Sequence, residues 1–163
     1  MKRSSTLFLK LAVIIIGIPI LALCIYLLPQ IANVAFEEAA NGARLGYMVL
    51  GILTVMYISA IPFYTALYQA FKLLTYIDKN QAFSQMSVDA LKKIKNCAIT
   101  ISSLYVVIIP FVFMIAQWDD APGLALINLV IIGASIVVAV FAAVLQRLLQ
   151  EAIDIKTEND LTV

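Results

Sequence analysis

The stretch APGLALINLVIIGASIVVAVFAAVLQ, residues 121–146, contains no Asp, Glu, Lys or Arg. About 20 residues at roughly 1.5 Å each cross a hydrocarbon core of about 30 Å, so this segment is long enough to span a bilayer. Residues 11–36, 45–71 and 96–118 are equally free of charge. Over all 163 residues, 63% are hydrophobic and 13% are charged, with a mean hydropathy of +1.00. A soluble domain carries about 25% charged residues. A chain this poor in charge cannot clothe its surface for water, so its solvent is mostly lipid.

The expected fold class is therefore all-α: a polytopic membrane protein whose four transmembrane helices form an antiparallel bundle. The chain reads as a single membrane domain, 1–163, with spans near 8–29, 45–71, 92–117 and 122–147, a connector at 72–95 and a tail at 148–163. Lys2 and Arg3 before an apolar run, with Leu21-Ala22-Leu23-Cys24 further on, superficially suggest a cleaved signal. Leu23 is too large for such a site and the run is too long, so the segment is expected to be retained.

Orientation follows from the basic residues. Lys2, Arg3 and Lys10 precede the first span, Lys72, Lys79, Lys92, Lys93 and Lys95 lie between the second and third, and Arg147 and Lys156 follow the fourth. Only Arg44 falls in the opposite loops, which hold Glu37, Glu38, Asp119 and Asp120. The positive-inside rule then puts both termini and the connector in the cytoplasm. The basic connector suits anionic headgroups rather than direct contact with nucleic acid.

Along the chain, Pro29 is placed to stop or bend the first helix, and Ala35 to Ala40 read as a short helix at the outer interface. Pro62 is expected to kink the second span, with neighbouring helices or Ser59 compensating for the lost backbone hydrogen bond. Tyr57, Tyr64 and Tyr68 suggest an aromatic belt. In the connector, Ser87 reads as an N-cap with Asp89 in the first turn, and Val88, Leu91 and Ile94 as an apolar stripe that carries the third helix into the membrane. Residues 117–123 form a helical hairpin with Trp118 at the interface and Pro122 in the first turn of the last helix. Ser135, Ala139, Ala142 and Ala143 put small side chains on one side of that helix, for close packing.

Much chemistry is missing. There is no histidine, the usual general base and metal ligand. Cys24 and Cys97 belong to opposite halves of the bilayer, too far apart for a disulfide or a shared metal. Gly42-Ala43-Arg44-Leu45-Gly46 is a small-xxx-small packing spacing rather than a phosphate loop. Adjacent Glu37-Glu38 and Asp119-Asp120 do not share a helix face. No catalytic residue, cofactor or metal site is expected. The spans also lack the ionisable groups that coupled transporters place at depth. Asn128 is the most notable polar residue there, and is expected to pin one helix against another, together with Ser135, Ala139 and Ala143.

The last segment, LLQEAIDIKTENDLTV, keeps a helical period for about two turns past Gln146, then turns polar and ends in a strand-like Leu161-Thr162-Val163. The connector residues IDKNQAFS, 77–84, and the tail EAIDIKTENDLTV, 151–163, make the chain resemble a family of bacterial four-helix membrane proteins catalogued as domain of unknown function 2975. The resemblance spans the whole chain and implies a plasma-membrane location with no catalytic activity. It also implies a cytosolic partner, because members are often encoded beside a small helix-turn-helix transcription regulator. The leading expectation is a non-enzymatic membrane protein that binds such a regulator through Phe83, Glu158, Asn159, Asp160 and Leu161, with main-chain pairing by residues 161–163 as one mode. The alternative is a small transporter or channel working as a homo-oligomer, and a membrane-embedded enzyme is the third.

Overall fold

The computed structural model describes residues 3–162, with side chains from 5 to 161; Lys2 and Val163 lie outside the described residues. It is all-helical among them: α1 (Arg3–Ala22), a π-helical turn (Leu23–Leu27), α2 (Leu28–Ala40), α3 (Arg44–Asp78), α4 (Gln85–Val107), α5 (Ile109–Trp118) and α6 (Pro122–Thr162). Three helical stretches, Ser5–Ala40, Arg44–Asp78 and Pro122–Leu161, are long and apolar enough to cross a membrane, and α4 with α5, bent by 47°, makes a fourth when taken as one span.

The first helix does not stop at Pro29, and no separate interfacial helix follows it. The backbone continues to Ala40 because the turn before the proline widens. Leu28 N–H reaches back five residues to the Leu23 carbonyl, which makes room for a ring that would otherwise crowd the preceding turn. This adjustment leaves the Cys24 carbonyl without a backbone donor, since Leu28 N–H is engaged and Pro29 has none. Tyr57 fills the gap, its hydroxyl donating to Cys24 O at 2.9 Å.

That bond opens a series. Tyr64 donates to Gly17 O at 2.9 Å, and Lys10 Nζ lies 5.2 Å from the centre of the Phe71 ring. Cys24, Gly17 and Lys10 thus meet Tyr57, Tyr64 and Phe71 at seven-residue steps, the numbers falling along α1 and its π-turn as they rise along α3. Tyr57 and Tyr64 are clamps between helices rather than members of a belt. Tyr68 is exposed, with the Lys72 ammonium 5.1 Å from its ring centre.

The corner between α2 and α3 rests on two glycines. Gly42 has φ of 83°, the left-handed conformation that a side chain resists. At Gly46 an added Cβ would stand 2.5 Å from the Ala39 nitrogen and 2.8 Å from the Ala35 oxygen. With Ala35 and Ala39 buried, the backbones of α2 and α3 touch directly. The small-xxx-small spacing therefore supplies a turn with its first glycine and a crossing with its second.

Helix α3 passes Pro62 without a break. Ser59 does not serve the carbonyl freed by that proline, because its hydroxyl donates to Met56 O at 2.8 Å. The break falls in the third span instead, at Ile108. Pro110 sits in the first turn of α5, where its missing N–H and its ring deny a continuous ladder to the residues before it. The chain turns back at residues 119–121, with Asp120 at φ of 50° and Pro122 as the first residue of α6.

Helix α6 buries Ala125, Asn128, Ile132, Ala139 and Ala142, a spacing of three, four and seven residues that forms one seam. Ser135 and Ala143 are half-buried beside it, and α4 and α5 are the helices it packs against. Replacing Gly46 by Ala must push α2 off α3, at a cost of about 1–3 kcal/mol. Thermal denaturation in nanodiscs should show a lower midpoint for Gly46→Ala, whereas Gly51→Ala, whose added methyl group meets nothing within 4 Å, should unfold like the parent.

Candidate docking end and interhelical cavity

Two features emerge from this arrangement: a polar end built from the start of α1, the connector and the end of α6, and a cavity between the helices. Helix α3 runs to Asp78 and α4 begins at Gln85, so the connector proper is only residues 79–84. Asn80 adopts the left-handed conformation, with φ of 59°, and Gln81 N–H closes the turn on Tyr76 O at 2.7 Å.

The N-cap of α4 is Ser84, not Ser87. Ser84 Oγ accepts from Ser87 N–H at 3.4 Å while donating to Gln81 O at 2.6 Å. Ser87, fully buried, gives its own proton to the same carbonyl at 3.2 Å. The tight turn at Asn80 brings the chain round early, so the helix starts three residues sooner than the position of Asp89 suggests. The stripe behaves as expected, with Val88 and Leu91 buried and Ile94 half-buried. Phe83 projects from the turn, 64% exposed.

A polar cluster locks the first turns of α1 onto the end of α3. Lys10 Nζ pairs with Asp78 Oδ2 at 2.9 Å, the two side chains about one-fifth exposed at 20% and 19%. Fully buried Thr6 donates its hydroxyl to the other carboxylate oxygen. Partial burial strengthens such a pair relative to one in open water. In the sequence Lys10 reads as a topology charge and Asp78 as a turn former. The seven-residue step from Gly17 to Lys10 is the available signal for their pairing, and it becomes meaningful only once α1 is known to face α3.

Helix α6 goes further than its neighbours. Lys95 and Ile99 of α4 share a groove with Ala139, Val140 and Ala143 of α6. Extended by that register, the first turn of α4 is level with about Ile153, and α6 runs on beyond it with residues 154–161 exposed. At 41 residues, α6 is about 60 Å long, twice the hydrocarbon thickness. The tail stays helical through Thr162, so the strand-like ending expected at 161–163 is replaced by helix at Leu161 and Thr162. Bonds at i,i+4 support it: Arg147 to Glu151 at 3.6 Å and Gln150 Nε2 to Asp154 Oδ1 at 3.1 Å. Glu158, Asn159, Asp160 and Leu161 are all exposed, at the same end as Phe83. Leu148, Ile155 and Leu161 are respectively 57%, 60% and 81% exposed, so the helix offers apolar contacts that the expected contact set, with Leu161 alone from this group, does not contain.

The cavity, about 500 Å³, lies where the π-turn, α3, α4 and α6 meet. Its wall is almost wholly apolar, with Leu28, Phe63, Ala98 and Ala134 among its residues and with Ser59, Tyr105 and Ser135 as its hydroxyl groups. Asn128 is not part of this wall. It is 5% exposed within the α6 seam, and its Nδ2 has no hydrogen-bond partner among the described residues. Cys24 lines the cavity, and both cysteines are free thiols.

Long apolar helices joined by short turns and held by interhelical hydrogen bonds define a multi-span helical membrane protein. The family model described as "Protein of unknown function (DUF2975)" matches residues 33–163, and the chain belongs to that family. It is 61% identical over 163 residues to a Bacillus subtilis (strain 168) protein described as "Uncharacterized membrane protein YoaS", covering 100% of both chains. No solved structure matches it. The resemblance read from residues 77–84 and 151–163 is thus a family membership.

Asp78→Asn removes the counter-charge of a partly buried ammonium and weakens the Thr6 bond, a loss of about 1–3 kcal/mol. Hydrogen exchange in nanodiscs should speed up selectively at the first turns of α1, with the corner at Gly46 unchanged.

Proposed function

We propose that the protein is a non-enzymatic regulatory component of the bacterial plasma membrane: a four-span antiparallel bundle, both termini cytoplasmic, that docks a cytosolic helix-turn-helix regulator on its connector and tail. The observation that carries this reading is the projection of α6 beyond the rest of the bundle as an exposed helix, with Phe83 displayed at the same end. A helix that only crossed the bilayer would have no use for this length.

Three features support it. The basic residues cluster at the end that holds the connector, as expected of the cytoplasmic side. The projecting helix is acidic, with Asp154, Glu158 and Asp160 against Lys156, and so complements the basic surface of a DNA-binding protein. Exposed Leu148 and Ile155, seven residues apart, share one face of α6 and offer apolar contacts of the kind a helix lays into a partner's groove, with exposed Leu161 on another face. Recognition by a helix face takes the place of main-chain pairing, because Leu161 and Thr162 are helical rather than extended and so cannot add a strand to a sheet. Sequestration of the regulator at the membrane is the resulting mechanism.

Sidedness is checked by single cysteines at Asp120 and Asp160 in a variant without Cys24 and Cys97. A membrane-impermeant maleimide added to intact cells should label the Asp120 position alone, and the reverse pattern would invert the topology. Docking is checked by crosslinked purification of the tagged protein from native membranes, beside a form truncated after Gln150. One DNA-binding protein should be recovered with the full chain only, and replacement of Glu158, Asn159 and Asp160 by Ala should reduce its recovery about tenfold. Equal recovery with the truncated form would remove the tail from the docking site.

A further inference from the structure

The cavity between the helices has a chemical polarity that narrows what it can hold. Ser135 donates to Ile131 O at 2.8 Å. Ser59 donates to Met56 O at 2.8 Å and lies 3.1 Å from the Tyr105 hydroxyl. A hydroxyl has a single proton. With that of Ser59 directed to Met56 O, the proton between Ser59 and Tyr105 belongs to Tyr105. All three hydroxyl groups in the wall have therefore given their protons to the protein, and the phenol oxygen of Tyr105 retains lone pairs.

The wall contains no Asp, Glu, Lys or Arg, so a charged ligand would lose its hydration without gaining a counter-ion. A ligand that only accepts hydrogen bonds, such as an ether or a ketone, would find no donor beyond the weak Cys24 thiol. A neutral ligand with one donor is complementary. At about 500 Å³, the cavity lies within the roughly 300–1,000 Å³ range of sites for one small molecule, which suits a single chain better than a two-chain lipid.

We propose that this cavity is a binding site for a neutral, single-chain alcohol taken up from the bilayer, its apolar body among Leu28, Phe63, Ala98 and Ala134 and its hydroxyl donating to the Tyr105 oxygen. The site is independent of the docking end and stands whether or not a cytosolic partner binds there. The Ser59–Tyr105 bond also ties α3 to α4, and a bond with that role alone would not distinguish an alcohol from its ether.

The test uses the full chain in phosphatidylcholine nanodiscs, a lipid without a hydroxyl donor, with a diazirine-bearing dodecanol as the photolabel and mass spectrometry to map it. Labelling should saturate on cavity residues, and dodecan-1-ol should compete about tenfold better than dodecyl methyl ether, the worth of one hydrogen bond of about 1.4 kcal/mol. In Tyr105→Phe the two competitors should become equal. Ala98→Leu, which fills the cavity and leaves both hydroxyl groups in place, should abolish saturable labelling.

Equal competition by alcohol and ether in the parent protein would mean that the space is filled by any apolar chain, and would overturn the proposal. So would unsaturable label spread over the lipid-facing surface. Competition by diacylglycerol as strong as that by dodecanol would assign the cavity to a bilayer lipid and overturn the single-chain assignment.

Discussion

In hydrocarbon a backbone carbonyl has no water to turn to, so each one displaced from the helical ladder must find a partner inside the protein. Pro29 creates such a debt at Cys24, and Tyr57 settles it from the neighbouring helix. The pairing sets the register of α1 against α3: once Tyr57 is opposite Cys24, Tyr64 falls opposite Gly17 and Phe71 beside Lys10. The series ends at the Lys10–Asp78 ion pair. A helix break that could have ended the first span instead aligns it.

Packing elsewhere depends on side-chain size, because apolar surface gains little by leaving lipid for another helix. At Gly46 smallness brings α2 and α3 into backbone contact. Along α6, Ala125, Ala139 and Ala142 close the seam toward α4 and α5. Where the π-turn stands off from α3, α4 and α6, small residues such as Ala98 and Ala134 leave space instead, and the cavity results. The same residue class yields contact or void according to whether the backbones are free to approach.

The functional proposals occupy different levels of the molecule. The projecting part of α6 keeps its helix with local bonds such as Thr157 Oγ1 to Ile153 O at 2.9 Å, and its exposed sides are open to a partner. The cavity lies within the apolar part of the bundle, where three hydroxyl groups already bonded to the protein make it accepting rather than donating. Family membership covers most of the chain, including connector and tail, and leaves the activity to be argued from these two places.

Charge-free runs and their lengths determined by themselves that this is a helical membrane protein with up to four spans, since desolvating charges or unpaired backbone in lipid is too costly for any alternative. The stripe Val88–Leu91–Ile94, the entry of α6 at Pro122 and the small face of α6 were legible for the same local reasons. The tertiary structure decided the rest. It carried the first helix past Pro29, passed α3 through Pro62 but broke the third span near Pro110, moved the α4 cap to Ser84, and joined Lys10 to Asp78 and Ser59 to Tyr105. These are pairings between residues distant in the chain. A proline or a hydroxyl declares what it lacks or can offer, but the partner that answers it is known only when another helix is in place.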